Sequence, residues 1–338
     1  MKKIQHIRFF SRRETKTGIS IELIFNNLIS YIDNNTEFDT DKKNVPSYSS
    51  FLGLLRNILF TVTNRSKINH ITGDIHYVAL ALNRKRTILT IHDCVLLEHK
   101  KTSHFFLFYK YIWYNLPMWW CKNITTISEK TKQDLINKTW AKESQIKVIQ
   151  NFYDPIYKRQ LKKVNKEQPV LLQIGNKPNK NLNRVIEAIK DIDCKLVLVG
   201  KLTNAQAQKI EEYNIVNEVY CGIEKESLVK LYNESDIVVF VSTYEGFGMP
   251  IIEANAIGRI LVTSNIEPMN TIASNSAIFV NPFKISSIKE GIMSAIKNDD
   301  LRNKCIENGL KNAEKHHISN VAQKYLALYK SINNNFSA

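Results

Sequence analysis

Apolar and polar positions alternate along the chain in blocks whose lengths distinguish strands from helices. In the second half, short apolar runs occur at 169–175, 195–200, 216–221 and 236–241. Between the first two runs, apolar residues recur at the spacing of one helix face: Leu182, Val185, Ile186 and Ile189. Apolar strands of this kind need cover on both faces of a sheet. The pattern therefore predicts a doubly wound α/β domain with a parallel sheet.

The first half has a similar but less regular pattern. Strands are predicted at 7–10, 68–71, 87–91 and 123–127, with a helix over 19–32. Ser128 is a typical N-cap for another helix that runs through residue 137. These alternating elements predict a second domain of the same α/β class.

Chain length agrees with two domains, since 338 residues exceed the usual size of one. The element pattern breaks between residues 151 and 166, where an Asn-Phe-Tyr-Asp-Pro sequence leads into a lysine-rich stretch. We expect a first domain over 1–160 and a second over 161–317. A helix over 318–338 is expected to cross back to the first domain.

Composition indicates a globular protein, with 43% hydrophobic and 23% charged residues. No run of 18 uncharged apolar residues exists, and the amino-terminal segment lacks the apolar core of a secretion signal. The five cysteines are scattered and form no CxxC pair. The expected location is the cytoplasm, with reduced, buried thiols and no metal site.

The net charge of +15 is concentrated in the first half. Residues 1–165 hold 27 Lys and Arg against 13 Asp and Glu, whereas residues 166–338 hold 20 against 19. Such an asymmetry favours an anionic partner for the first domain: nucleic acid, a phosphorylated substrate or a membrane surface. A lysine- and asparagine-rich composition selected for solubility is the alternative interpretation.

The densest group of candidate ligand-binding residues follows the predicted strand 236–241 and begins a helix. It reads Ser-Thr-Tyr-Glu-Gly-Phe-Gly-Met-Pro-Ile-Ile-Glu over residues 242–253. Ligands of open α/β sheets bind at the carboxyl ends of strands, and a helix amino terminus directs N–H groups towards anions. Glu245 in the loop and Glu253 one turn into the helix can each accept hydrogen bonds from hydroxyl groups. The segment therefore predicts a site for a sugar and a ribose diol.

The spacing E-G-F-G-x-P-x-x-E over residues 245–253 resembles the signature of the retaining family-4, or group 1, glycosyltransferases. Further segments that resemble this family occur in the same order, at 127–131, 148–154, 175–182, 219–223 and 228–236. The resemblance covers nearly the whole chain and is strongest from 169 to 300. It implies the GT-B architecture: two Rossmann-like, doubly wound domains facing a central cleft, with the acceptor side in the first and the nucleotide-sugar donor in the second.

Transferred position by position, the resemblance implies donor-binding roles for the glutamate motif. Glu253 would bind the ribose hydroxyls, and Glu245 would contact hydroxyls of the transferred sugar. Backbone N–H groups of Gly246, Phe247 and Gly248 would assist Glu245.

Other donor contacts are implied outside this motif. Lys180, assisted by Lys177, would neutralise the departing diphosphate. His92 would lie near the transferred sugar, and Gly18 would let the backbone approach the donor phosphate. The loop beginning at Gly222 would govern donor selectivity. Two departures from the family pattern are that Asn176 stands where many members carry arginine, and that Gly18 is single where a glycine pair is common.

The implied reaction transfers a hexose-type sugar, with anomeric retention, from a UDP- or GDP-linked donor. Catalytic groups would be His92, Glu245 and Lys180, and neither a cofactor nor a metal ion is expected. The acceptor would be an anionic glycan or a lipid-linked intermediate of surface polysaccharide or lipopolysaccharide biosynthesis. Alternatives are another GT-B enzyme, such as a phosphorylase or nucleotide-sugar epimerase, and a basic nucleic-acid-binding protein. Diffuse charge without a recognised motif argues against nucleic acid.

A strongly aromatic segment, residues 104–120, has two interpretations. It is either a buried helix against the first sheet or a surface that contacts lipid headgroups, where Trp, Tyr and Lys accumulate. Together with the basic first half, the second interpretation predicts peripheral contact with the inner face of the cytoplasmic membrane.

Overall fold

Each half of the chain forms its own parallel sheet. The computed structural model describes residues 5–13, 20–48, 50–99 and 106–334. The contacts between residues divide the chain into two compact units. Unit 1 comprises residues 1–152 and 318–338, and unit 2 comprises residues 153–317.

The boundary between the two units lies after Phe152, whereas the sequence predicted it after residue 160. Residues 153–160 join unit 2 because they pack against it: the Tyr157 and Tyr232 rings lie 5.5 Å apart, edge to face. In addition, the Gln160 N–H donates to the Ile257 carbonyl oxygen at 3.1 Å.

The described residues of unit 1 form six parallel strands in the order β2-β1-β3-β4-β5-β6. The strands are β1 (Gln5–Ser11), β2 (Phe38–Asn44), β3 (Ile68–Ile71), β4 (Thr87–Ile91), β5 (Asn123–Thr126) and β6 (Ile146–Val148). The helices are α1 (Ser20–Asn35), α2 (Phe51–Thr63), α3 (Val95–His99), α4 (Phe106–Tyr109), α5 (Leu116–Trp120) and α6 (Glu129–Lys138). A π-helical turn, Lys110–Asn115, joins α4 to α5, and 3-10 turns form at His76–Ala81 and Glu143–Gln145. Ser128 caps α6 as predicted, since its hydroxyl accepts from the Thr131 N–H.

Unit 2 also contains six parallel strands, in the order β12-β11-β10-β7-β8-β9. The strands are β7 (Val170–Ile174), β8 (Lys195–Val199), β9 (Val216–Tyr220), β10 (Ile237–Phe240), β11 (Ile260–Ser264) and β12 (Ile278–Val280). The helices are α7 (Leu182–Ile189), α8 (Asn204–Glu212), α9 (Lys225–Glu234), α10 (Met249–Ile257), α11 (Met269–Ala273), α12 (Ile285–Lys297) and α13 (Asp299–Lys315). A 3-10 turn, Pro178–Lys180, precedes α7. The predicted helix face of α7 is buried in the core of this unit.

The last helix, α14 (Ile318–Asn334), belongs to unit 1. It packs beside α1, and its buried side chains share a core with β1 and β3. Within that core, the His70 ring bonds the Tyr329 hydroxyl through Nδ1 at 2.8 Å and the Thr90 hydroxyl through Nε2 at 2.7 Å. His70 thus links the centre of the first sheet to the end of the chain.

Cysteine burial differs from the prediction at one position. Cys94, Cys121, Cys194 and Cys305 are buried thiols, whereas Cys221 is exposed at the end of the edge strand β9. Edge position explains the difference, because that strand pairs with β8 alone. Among the helices of the described ranges, none has the length and apolar character needed to cross a membrane.

Replacing His70 tests the pH dependence of unit 1. Burial lowers the pKa of His70 from 6.5 to about 3, so between these values the unfolded chain binds a proton that the folded chain does not. Stability must therefore fall as pH drops below 6.5. We expect His70→Gln to reduce the slope of unfolding free energy against pH by about one proton, or about 1.4 kcal/mol per pH unit. Urea unfolding between pH 4 and 7 measures it, and an unchanged slope would contradict this explanation.

Candidate active site

Lys180 and Glu245, two of the predicted site residues of unit 2, meet at the point where its strand order reverses. β7 and β10 are neighbours in the sheet, but the chain continues from them towards opposite edges. The loops after these two strands diverge and leave a crevice at their carboxyl ends, the usual ligand position in such sheets. Lys180 follows β7, and Glu245 follows β10.

Lys180 is positioned by a turn that depends on glycine. Gly175 has φ +84°, and a Cβ there would lie 3.1 Å from Cγ of Lys180, so the lysine side chain lies directly across the glycine. The Gln173 amide donates to the Lys180 carbonyl oxygen at 2.9 Å. The turn ends at Asn181, whose φ of 62° places it in the left-handed region that asparagine tolerates.

The two loops are joined by an ion pair. Lys180 Nζ lies 2.6 Å from Glu245 Oε1, with side-chain exposures of 19% and 14%. Lys180 Nζ also lies 4.8 Å from the centre of the Phe240 ring. The Asn179 amide donates to the Tyr244 carbonyl oxygen at 2.9 Å and to Glu245 Oε1 at 3.2 Å. An ammonium and a carboxylate are thereby held together in a setting with little water.

Helix α10 begins immediately after this loop. Gly248, with φ +106°, precedes it, and a Cβ there would lie 3.0 Å from Ile251 Cδ1 and 3.2 Å from the Phe240 ring. Pro250 lies in the first turn, where its missing N–H has no helical partner to lose. The Phe247 side chain is buried against the His316 ring, so the only part of this residue suited to a ligand contact is its backbone.

Glu253 lies one turn into α10 and is surrounded by phenols. The Tyr232 hydroxyl donates to Glu253 Oε2 at 2.6 Å, and Tyr157 also bonds this carboxylate. Burial raises the pKa of Glu253, although the hydrogen bond from Tyr232 and the charge of Lys225 act in the opposite direction. Lys225 itself is paired with Asp154. The carboxylate is therefore fixed in orientation but costly to ionise.

The remaining predicted residues of unit 2 lie at the borders of this group. Lys177 is exposed, and its carbonyl oxygen accepts from the Lys180 N–H at 2.7 Å. Gly222 is exposed after β9, with φ +62° and open space where a Cβ would project. The structure does not bring Gly222 against Lys180 or Glu245.

In unit 1, His92 follows β4. Its Nε2 lies 2.9 Å from the Thr72 carbonyl oxygen, so Nε2 carries the hydrogen and Nδ1 has a free lone pair. Burial lowers the pKa of His92 to about 4, and the imidazole is neutral at physiological pH. Gly18 lies outside the described residues.

Sequence reasoning did not identify four side chains that shape the glutamate site: Tyr157, Lys225, Tyr232 and Asn179. Tyr157 is 96 positions from Glu253 in the chain, and only the fold brings the two together. Asn179 had a detectable signal, since it directly precedes Lys180 in a predicted strand–loop–helix segment. No cluster of metal-ligating residues occurs among the residues that the structure describes.

Solved structures show the same fold. The structure of Anabaena HepE in complex with UDP and glucose superimposes with a TM-score of 0.76 over 97% of this chain and 100% of that one, at 15% identity. Two six-stranded parallel sheets with covering helices, matched over the full chain, are the GT-B fold expected from the sequence.

Curated relatives match at low identity. The O-antigen chain mannosyltransferase RfbU of Salmonella typhimurium is 26% identical over 65% of this chain and 62% of its own length. The capsular polysaccharide biosynthesis glycosyltransferase CapM of Staphylococcus aureus is 24% identical over 81% of this chain and 78% of its own length. The match to RfbU thus spans less than two thirds of that relative.

Residues 157–312 match the family described as Glycosyl transferases group 1. This range is nearly the whole of unit 2 and includes Lys180, Glu245 and Glu253. Through this unit, the chain is similar to the group 1 glycosyl transferases.

Proposed function

We propose that the protein is a retaining glycosyltransferase that moves a hexose-type sugar from a nucleotide diphosphate sugar to a glycan or lipid-linked acceptor. The observation that carries this proposal is the pairing of Lys180 with Glu245 at the strand-order reversal, followed by α10 with Glu253 in its second turn. The match of residues 157–312 to the group 1 family supports it. Transfer chemistry needs the three kinds of contact that this group offers: to a ribose, to a sugar and to a diphosphate.

Glu253 is the proposed ribose ligand. Tyr232 and Tyr157 hold its carboxylate in one orientation, so the remaining acceptor sites are directed before a ligand arrives. A carboxylate can accept from both hydroxyls of a diol. Its raised pKa means that ionisation is costly in the empty protein, and two hydroxyl donors would offset that cost.

Lys180 and Glu245 are the proposed contacts to the diphosphate and to the transferred sugar. Negative charge grows on the diphosphate as the glycosidic bond breaks, and an ammonium group placed there stabilises the transition state. Glu245 would accept from sugar hydroxyls while it keeps Lys180 in place. The backbone N–H groups of Gly246, Phe247 and Gly248, beside the amino end of α10, would add positive potential.

His92 is the proposed contact of unit 1 to the transferred sugar. Because its Nε2–H is donated to Thr72, Nδ1 can accept a hydrogen bond from a sugar hydroxyl. Front-face attack, in which the leaving phosphate receives the acceptor proton, would need no further protein base. We expect no metal ion to be required, since Lys180 and the helix amino terminus supply the positive charge.

The names of the relatives support a role in surface polysaccharide or lipopolysaccharide biosynthesis. They include O-antigen chain mannosyltransferases and a capsular polysaccharide glycosyltransferase, and one relative is named for a diphospho-undecaprenol acceptor. We propose a UDP- or GDP-linked hexose as donor and an anionic, lipid-linked or glycan acceptor for the basic first unit. Action would then take place at the cytoplasmic face of the membrane.

Replacing Glu253 by glutamine should separate binding from folding. Loss of the charge weakens hydrogen bonds to the ribose, and we expect affinity for the nucleotide sugar to fall about 10- to 100-fold. Thermal stability should stay equal or rise, because the buried carboxylate with a raised pKa costs folding free energy at neutral pH. Titration calorimetry and thermal melting measure the two effects.

The matched control for Glu253→Gln is Glu212→Gln on the exposed face of α8, which should change neither quantity. Unaltered donor affinity in Glu253→Gln would refute the ribose assignment. A large loss of stability together with lost binding would indicate a structural role instead.

Replacing the two lysines of the loop after β7 should have unequal effects. Lys180→Ala removes the ammonium group paired with Glu245, and we expect kcat/KM to fall by about 10²- to 10³-fold. Lys177→Ala removes an exposed side chain and should lower kcat/KM by less than about tenfold. Steady-state kinetics with the preferred donor measure both, and equal losses would argue against Lys180 as the main diphosphate contact.

A further inference from the structure

Helix α2 of unit 1 exposes its apolar side to solvent. Phe51, Leu52, Leu55 and Leu59 are 72%, 67%, 48% and 66% exposed. Positions 51, 55 and 59 are successive i, i+4 neighbours, so these side chains form one stripe along the helix. Large apolar residues in a continuous stripe mark an interaction surface more often than scattered ones do.

Most of the fully buried positions of α2 are polar or small. Gly53, Asn57 and Thr61 are buried there, with Leu54 as the single large apolar side chain in that set. The Asn57 amide donates to the Ser47 carbonyl oxygen at 3.0 Å and to the Tyr77 hydroxyl at 2.8 Å, and its side-chain oxygen accepts from the Ser47 N–H at 2.9 Å.

Close packing also fixes this side of the helix. A Cβ at Gly53 would lie 2.1 Å from the Tyr48 carbonyl oxygen, so the helix could not sit this close with a larger residue. The Asn57–Tyr77 hydrogen bond and the packing of Leu54 against the core therefore attach α2 to unit 1. Leu52, Leu55 and Leu59 remain exposed.

The sequence on both sides of α2, between Asp41 and Asp74, is basic. Between residues 42 and 73 the sequence contains five basic residues and no acidic one: Lys42, Lys43, Arg56, Arg65 and Lys67. Arg56 is the one charged residue of the helix itself, and it is exposed next to the apolar stripe. An apolar stripe bordered by cations is complementary to an anionic interface with an apolar interior.

A second exposed apolar group lies in the same layer of unit 1. Both α2 and α5 pack on the 3-10 turn His76–Ala81. The segment that includes α4 and α5 buries Trp113, Tyr114 and Met118. Four of its other large side chains are exposed: Leu107, Phe108, Tyr111 and Trp119. Residues 106–122 contain Lys110 and Lys122 but no acidic residue. The aromatic segment is thus both core and surface.

We propose that α2 is a docking helix for an anionic lipid bilayer. Its stripe, residues 51, 52, 55 and 59, would enter the boundary between headgroups and acyl chains, while Arg56, Arg65 and Lys67 contact lipid phosphates. A second copy of this chain fits less well, because two such helices would bring like charges together. Exposed Trp and Tyr side chains in the neighbouring group have the chemistry of a membrane interface. This surface is independent of the donor site.

Vesicle co-sedimentation of the full-length protein tests the proposal. We expect binding to vesicles of phosphatidylglycerol mixed with phosphatidylcholine, weakened by salt and absent with phosphatidylcholine alone. The variant Leu55→Ser/Leu59→Ser should lower the partition coefficient by at least about tenfold, because two side chains no longer leave water on docking. Arg56→Gln should lower it about fivefold.

Leu161→Ser is the matched control, since Leu161 is an 88% exposed leucine of unit 2. It should bind vesicles like the wild type. Nucleotide-sugar affinity and the thermal melting curve should be unchanged in the α2 variants, so a failure of the donor assignment would be seen separately.

Three results would overturn the proposal. Equal vesicle binding by wild type and Leu55→Ser/Leu59→Ser would show that α2 is not part of the docking surface. Wild-type binding to neutral vesicles as strong as to anionic vesicles would show that anionic lipid is not required. A wild-type dimer that does not bind vesicles, and that becomes monomeric in the double variant by light scattering, would assign the stripe to a second copy of the chain.

Discussion

The ion pair between Lys180 and Glu245 joins the loops on either side of the strand-order reversal in unit 2. Each partner is mostly withdrawn from water, and a buried charge without a partner is expensive, so each side chain holds the other in place. The turn at Gly175 makes room for the Lys180 side chain, and the Asn179 amide donates a hydrogen bond to Glu245. A diphosphate would meet an ammonium group that is already positioned, which lowers the reorganisation needed during transfer.

Unlike the Lys180–Glu245 pair, Glu253 has no cation that fully offsets the cost of burying its charge. Its carboxylate has two phenol partners, but burial still raises its pKa. A core built for stability alone would not place an acid at this position. The cost is explained if hydroxyl groups of a ligand complete its hydrogen bonds, which is the role that we propose for the ribose. Tyr232 and Tyr157 then act by orienting the acid before binding.

Much of unit 2 could be predicted because most of its strands are apolar, with the exposed edge strand β9 as the exception, and its site residues are close in sequence to strand ends. Unit 1 was harder to predict from the sequence, for two physical reasons. Strand β2 was missed because it is an edge strand with charged residues such as Asp41, which pairs with Arg8 on β1 at 2.8 Å. Helix α2 was missed because apolar residues such as Leu55 and Leu59 are exposed while Asn57 and Thr61 are buried. The phenols around Glu253 could not be found from spacing, since Tyr157 reaches it only through the fold.

Binding of nucleotide sugars to unit 2 is the basis of the proposed activity. A thermal-shift panel of UDP-, GDP- and ADP-hexoses, together with the corresponding nucleoside monophosphates, measures it most directly. We expect one base to raise the melting temperature, with the diphosphate sugars of that base acting more strongly than its monophosphate because only they reach Lys180 and Glu245. No shift with any of these ligands, or equal shifts with the monophosphate, would contradict a donor site built on that pair.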